Sequence, residues 1–299
     1  MKTWLAILVL SLTPIMAGCG PSQSTVPVPV SSATFTTNVA TVQHADAPAT
    51  SLKSNPVDNS LTTGEYMEQG MPSPDRSWSN SDMATVSRLI TEISKRDSGQ
   101  LPRFGSPKSG TVFARMTNKE NLELFRNPTV PLEARLPLAL QFMQAANGVN
   151  AAYLLGLVRQ TTGDDEMTEI TGLMLRVAVM MIELMDEFLP SLDKNDPTYP
   201  VRMDGMKKMK SGMANMMQGA IQQISEPGTW SREPLRRHIA YIDETFPVII
   251  KSVSSGVRKE TLVRLNSLSA DKGFGDNLAA FREMLDKITA AANEASAAK

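Results

Sequence analysis

The chain has 299 residues, 30 basic and 31 acidic side chains and a formal net charge of -1. With 41% hydrophobic and 20% charged residues it falls in the range of ordinary globular chains, which excludes a strongly basic nucleic-acid binder and a multi-pass membrane protein. One cysteine excludes a disulfide framework and a Cys-rich zinc module, and two histidines leave little for metal or general-base chemistry. Methionine is the outlier: its 19 residues outnumber Phe, Tyr and Trp combined.

The first 19 residues read MKTWLAILVLSLTPIMAGC. Lys2 supplies a positive start, Trp4 to Leu12 an apolar core, and Pro14 a helix stop before small residues. The apolar run is shorter than the roughly 20 residues a transmembrane helix requires. Met16-Ala17-Gly18-Cys19 resembles the lipobox of bacterial lipoproteins, with Met16 where Leu is usual. The resemblance implies that residues 1–18 are a signal peptide. It also implies that Cys19 is lipidated on sulfur, becomes the new N-terminus and is acylated on nitrogen. Two or more acyl chains anchor stably where one does not. Gly20, rather than Asp, follows the cysteine, as in the outer-membrane sorting pattern of Gram-negative lipoproteins; in a Gram-positive cell the anchor implies the plasma membrane.

From Gly20 to Gly64, Gly, Pro, Ser and Thr make up 22 of 45 residues, and the apolar residues are single and aperiodic. VPVPV at 26–30 favours extended backbone. We therefore expect a lipidated, disordered Ser/Thr/Pro-rich tether over residues 19–81 and a folded domain over 82–299.

Beyond Asp82 the apolar residues recur with a helical period. Met83 to Lys95 and Lys119 to Arg126 read as short helices. Leu132, Leu136, Ala139, Met143 and Ala146 mark a longer one. Met167, Ile170, Met174, Val177, Met181, Leu184 and Phe188 mark a deeply packed one, with Asp164 as its expected N-cap. Met206, Met209, Met213, Met216, Ala220 and Ile224 form the next stripe. Leu235, Ile239, Ile242, Phe246, Ile249 and Val253 form another, with Pro247 inside it. Leu278, Phe281, Leu285, Ile288 and Ala292 form the last, with Asp276 as expected cap. Gly- and Pro-containing breakers separate them. The fold class is all-α: an antiparallel multi-helix bundle or a helical-hairpin array. Met185–Pro190 (MDEFLP) and Ile242–Pro247 (IDETFP) look alike, which raises an internal repeat of helical hairpins.

Few residues carry chemistry. Met206, Met209 and Met213, with Met203, Met216 and Met217, are spaced to gather soft thioethers for Cu(I). The same spacing describes an apolar helix face, and we read it as core, with no metal and no cofactor. His238 lacks an HExxH context and reads as a surface or half-buried structural residue. Neighbouring carboxylates such as Asp164-Asp165-Glu166, Asp186-Glu187 and Asp243-Glu244 point about 100° apart on a helix, so none is a two-carboxylate site. Lys207, Lys208 and Lys210, and Arg232, Arg236 and Arg237, are basic clusters that read as solvated faces. No GxSxG, Walker A or GxGxxG sequence is present.

The sequence thus points to a membrane-anchored envelope lipoprotein with a non-enzymatic helical domain serving a structural or interaction role. Its expected partners are the lipid bilayer, through acylated Cys19, and a protein or cell-wall component, with no nucleic acid. The expected location is the outer membrane facing the periplasm. A carrier of an apolar ligand in a Met-lined groove and an enzyme of unrecognised type are the alternatives.

Overall fold

A computed structural model describes residues 63–73, 78–96, 98–104, 115 and 117–297. Among them are nine α-helices and no strand: α1 (Thr63–Gly70), α2 (Asn80–Ser94), α3 (Lys119–Leu122), α4 (Leu132–Val158), α5 (Asp164–Phe188), α6 (Tyr199–Gln223), α7 (Arg232–Ser252), α8 (Ser255–Leu268) and α9 (Leu278–Ala297). Residues 1–62, which include the expected signal peptide, Cys19 and most of the expected tether, lie outside the described residues.

α5 organises the rest. Eighteen of its 25 residues are buried, so it must be covered on nearly every side. α4 covers one flank and α7 another, α6 packs on α5 and α7, and α9 lies against α7. α4 runs antiparallel to α5, joined by five residues, and Arg135 near its start reaches Glu187 near the end of α5. α4 carries no charge from Leu136 to Val158, consistent with its place between α2 and α5.

The side-chain contacts give the helix directions. Glu169 meets Arg237 and Arg176 meets Glu244, so α5 and α7 run parallel with a sequence offset of 68. Arg232 meets Asp276, Asp243 meets Lys287 and Lys251 meets Glu294, so α7 and α9 are parallel as well. α6 and α8 are the return helices. The architecture is therefore a helical-hairpin array: α5, α7 and α9 share one direction, with α4 antiparallel to α5 and α6 and α8 as the intervening returns. The internal repeat raised by the two look-alike hexapeptides does not describe it. MDEFLP ends α5, with Pro190 past the helix, whereas IDETFP lies inside α7. Their spacing of 57 residues is also not the packing offset of 68.

The domain boundary is earlier than Asp82. α1 begins at Thr63, and Met67, Met71 and Trp78 are buried at 0%, 9% and 3% exposure. Asp82 is not an entry point but the third residue of α2. Its carboxylate accepts from the Ser79 N–H at 2.7 Å while Ser79 Oγ accepts from the Asp82 N–H, a capping box. Trp78 and Met83 stand at the two staple positions around that cap, and both are buried. The run before Asp82 looked tether-like because its apolar residues are too few to show a period. Three of them still reach the core.

Two other caps differ from expectation. Gly163, not Asp164, precedes α5, because Glu166 folds back to accept the Gly163 N–H at 2.9 Å. Asp276 sits in a 3-10 turn (Lys272–Asn277) before α9, where Gly275 takes φ +52°, and it pairs with Arg232.

The shifted boundary has a direct consequence. Met67→Ala is expected to cost about 2–5 kcal/mol by opening a cavity at a fully buried side chain. A chain beginning at Asp82 is expected to lose at least as much, as read by urea unfolding. Unchanged unfolding midpoints for both would return residues 63–81 to the tether.

Candidate functional site

A connected set of buried and half-buried polar groups lies along the seam between α5 and α7, beneath the strap of residues 101–104. Glu169 is 5% exposed. Its carboxylate accepts from Arg237 Nε at 2.9 Å and from the Tyr241 hydroxyl at 2.5 Å. Arg237 also donates to Asp165 at 2.5 Å, and its guanidinium stands 5.0 Å over the Phe104 ring. The Phe104 N–H donates to Glu166 at 3.0 Å, and Arg103 donates to the Thr161 carbonyl. The Tyr153 hydroxyl donates to the Pro102 carbonyl at 2.6 Å. Further along, Arg176 lies 4.6 Å over the Tyr241 ring and pairs with both oxygens of Glu244. It also donates to the Thr117 carbonyl at 2.8 Å.

Helical spacing produces this seam. Asp165, Glu169, Gly172 and Arg176 repeat at three- and four-residue steps on α5, and Arg237, Tyr241 and Glu244 do so on α7. Gly172 is required at the crossing, because a Cβ there would lie 2.6 Å from the Tyr241 ring. Burial, then the hydrogen bond to Glu169, raises the Tyr241 pKa. Burial, then the nearby Glu166 carboxylate, likewise raises that of Tyr153. Burial works against the Arg237 charge, but the bonds to Asp165 and Glu169 outweigh it, so its pKa rises. Both phenols therefore stay protonated as donors at neutral pH. Each charged group of the seam faces an opposite charge, and the arrangement clamps α7 and the strap onto α5.

The basic cluster Arg232, Arg236 and Arg237 is drawn into ion pairs with Asp276, Glu233 and the Asp165–Glu169 pair. In the other cluster Lys208 pairs with Asp204 at 2.8 Å, and Lys207 is exposed. Of the six methionines on α6, Met206, Met213 and Met217 are buried, and Met203, Met209 and Met216 pack against the core from its margin. Among the described residues no group of three His, Cys, Asp or Glu side chains is placed to hold a metal ion. Cys19 lies outside the described residues.

His238 departs furthest from expectation. It is fully buried, with Nε2 3.3 Å from the Ala220 carbonyl and no partner on Nδ1. At the end of α6 the Ile221 and Gln222 carbonyls accept from the Ile224 and Ser225 N–H groups, which leaves those of Ala220 and Gln223 to side chains. His238 takes the first, and Trp230, which meets the His238 ring edge-on, donates from Nε1 to that of Gln223 at 2.7 Å. With only a carbonyl to serve, the ring carries its proton on Nε2 and stays neutral. Burial pushes its pKa down to about 4. The sequence signal for this pair, Trp230 eight residues before His238 on an apolar helix face, is too common to single out. No family model, curated protein or solved structure matches the chain.

Two predictions follow from this geometry. Gly172→Ala is expected to destabilise by about 1–3 kcal/mol, by pushing the Tyr241 ring off Glu169. Tyr241→Leu, which frees that space, should restore part of the loss when combined with it, and two additive losses would disprove the link. For His238, the folded-state pKa of about 4 lies below the ordinary 6.5, so folding favours the neutral ring. Its contribution is complete above pH 6.5 and is lost as pH falls toward 4, amounting to roughly 3 kcal/mol. Urea unfolding between pH 7 and 4 should show this decline in the wild type and a flatter profile in His238→Gln. Equal slopes would remove His238 from the account.

Proposed function

We propose that the chain is an envelope lipoprotein held to a membrane by acyl chains on Cys19, with the helical array acting as a non-enzymatic structural or interaction module. The observation that carries this reading is the sole cysteine of the chain standing at the end of Met16-Ala17-Gly18-Cys19, after a short positive start and an apolar run. Among the described residues no helix is long and apolar enough to cross a membrane, so in this reading attachment rests on the lipid. Residues 20–62 then separate the anchor from α1, and Gly20 after the cysteine directs the protein to the outer membrane, facing the periplasm. The module role draws support from the seam, whose charged groups serve one another. It also draws on the array itself, since stacked hairpins present extended side surfaces to a protein or cell-wall partner.

Replacing Cys19 by Ser tests the anchor. The wild type should take up a labelled fatty acid and sediment with membranes. Cys19→Ser should stay unlabelled and either appear in the soluble fraction or persist as the longer precursor. A processed Cys19→Ser protein that still sediments with membranes would refute the reading.

A further inference from the structure

The first half of α6 is fastened differently from the other long helices. Over residues 199–212 the hydrophobic side chains that belong to the core or pack on it are Met203, Met206 and Met209, all thioethers. Val201 in the same segment is 65% exposed. The polar contacts of the segment are local: Lys208 to Asp204, Arg202 to Asp196 and the Tyr199 N–H to the Asp196 carbonyl. Beyond residue 212 the fastening changes. Ala214, Ala220, Ile221 and Ile224 join Met213 and Met217 in the core, and Thr171 on α5 donates to Gln223 at 3.0 Å. α7 and α9, by contrast, seat through Leu, Ile and Phe along most of their lengths.

Thioethers differ from those hydrocarbons in one chemical respect: they are oxidised by peroxide and hypochlorous acid to sulfoxides, which are polar and hydrogen-bonding. We propose that Met203, Met206 and Met209 form an oxidation site, and that their conversion to sulfoxides releases residues 199–212 from the array. In each step a sulfur lone pair attacks a peroxide oxygen and the O–O bond breaks. An S–O bond forms, the sulfur loses two electrons, and the peroxide leaves as water. A methionine sulfoxide reductase with a dithiol reverses it, returning the thioether and giving a disulfide and water.

Exposure sets the order. Met203 and Met209, at the margin, react first. Met206, 8% exposed, follows as the segment loosens, whereas Met213 at 1% and Met217 at 0% stay protected. A sulfoxide left in the apolar seat lacks a partner there and has one in water, which favours the released segment. Release is local, because the seam and the α6 terminus hold through groups that hydrogen peroxide does not oxidise, Glu169, Arg237, Tyr241 and His238.

The segment carries its own reporters, since trypsin cleaves after Arg202, Lys207, Lys208 and Lys210 only where the helix opens. The full chain, purified in detergent, is treated with graded hydrogen peroxide, then mapped by peptide mass spectrometry and exposed briefly to trypsin. Sulfoxide should appear at Met203 and Met209 before Met213 and Met217. Cleavage between 202 and 210 should rise roughly tenfold per sulfoxide as the open population grows. Reductase treatment should return it to the starting rate. The Met203→Leu, Met206→Leu, Met209→Leu chain should show no rise at the same dose. Sulfoxide at Met203 and Met209 with unchanged cleavage would overturn the proposal. So would a rise of equal size in the Leu chain. If the Leu chain does not fold, failure of the reductase to reverse cleavage susceptibility in the wild type overturns it instead.

Discussion

A helix that is apolar on nearly every side cannot stand in water without neighbours, and α5 is such a helix. Its ring of Met, Leu, Ile and Val side chains must be covered from several directions at once. One antiparallel partner covers a single stripe. The chain supplies α4 on one flank, then uses α6 as a return so that α7 can cover the other. The parallel direction of α5, α7 and α9 follows from that return, as α8 repeats it before α9. Burial on the scale of α5 contributes several tens of kcal/mol of apolar transfer, most of it offset by conformational entropy. It fixes which faces meet but not how far one helix slides along the next.

The seam supplies that second coordinate. Buried ion pairs add little net stability, because desolvation consumes most of the attraction, but breaking one by removing a single partner is costly. Sliding α7 by one turn along α5 would take Arg237 from Glu169 and Tyr241 from its place over Gly172. It would also part Arg176 from Glu244, leaving the buried Glu169 and the half-buried Arg176 and Arg237 without their partners. The gap at Gly172 works in the same direction, since only one register brings the Tyr241 ring to it. Apolar burial and polar pairing thus divide the work, the first setting adjacency and the second alignment. His238 and Trp230 extend the logic to the α6 terminus, where a buried helix end would otherwise leave carbonyls without donors.

The helices of the array were legible because long stretches repeat their apolar residues at helical steps, and the α7 stripe, and the α5 stripe up to Leu184, emerge in the structure as buried faces, whereas Phe188 at the end of α5 is only half-buried. Its start was not. Met67, Met71 and Trp78 belong to an eight-residue helix and its flank, too short for periodicity to rise above a Ser- and Pro-rich background. The caps were legible in composition but not in position, since Asp164, Asp165 and Glu166 all suit a helix start and only the fold-back of Glu166 decides among them. The seam was present in the sequence as two polar rows at matching steps, on α5 and α7. Pairing them requires knowing that these helices run parallel, which a reading of neighbours in sequence does not provide. His238 was misjudged for a related reason: its partner is a carbonyl on another helix, and backbone acceptors leave no trace in a sequence.

The abundance of methionine bears on all of this. An unbranched, polarizable side chain fills irregular gaps without demanding one exact rotamer, so it suits contacts between helices that meet at mixed angles. In α5 that freedom is harmless, because Met167, Met174, Met180, Met181 and Met185 are enclosed among Leu, Ile and Val. In α6 the same residue works at the edge of the core with little else to hold the segment. The pair of helices thus places one chemistry in two environments. Enclosed, the thioether is simply a flexible hydrocarbon substitute. At the margin the side chain is partly exposed, and the seat it provides lasts only as long as its sulfur stays reduced.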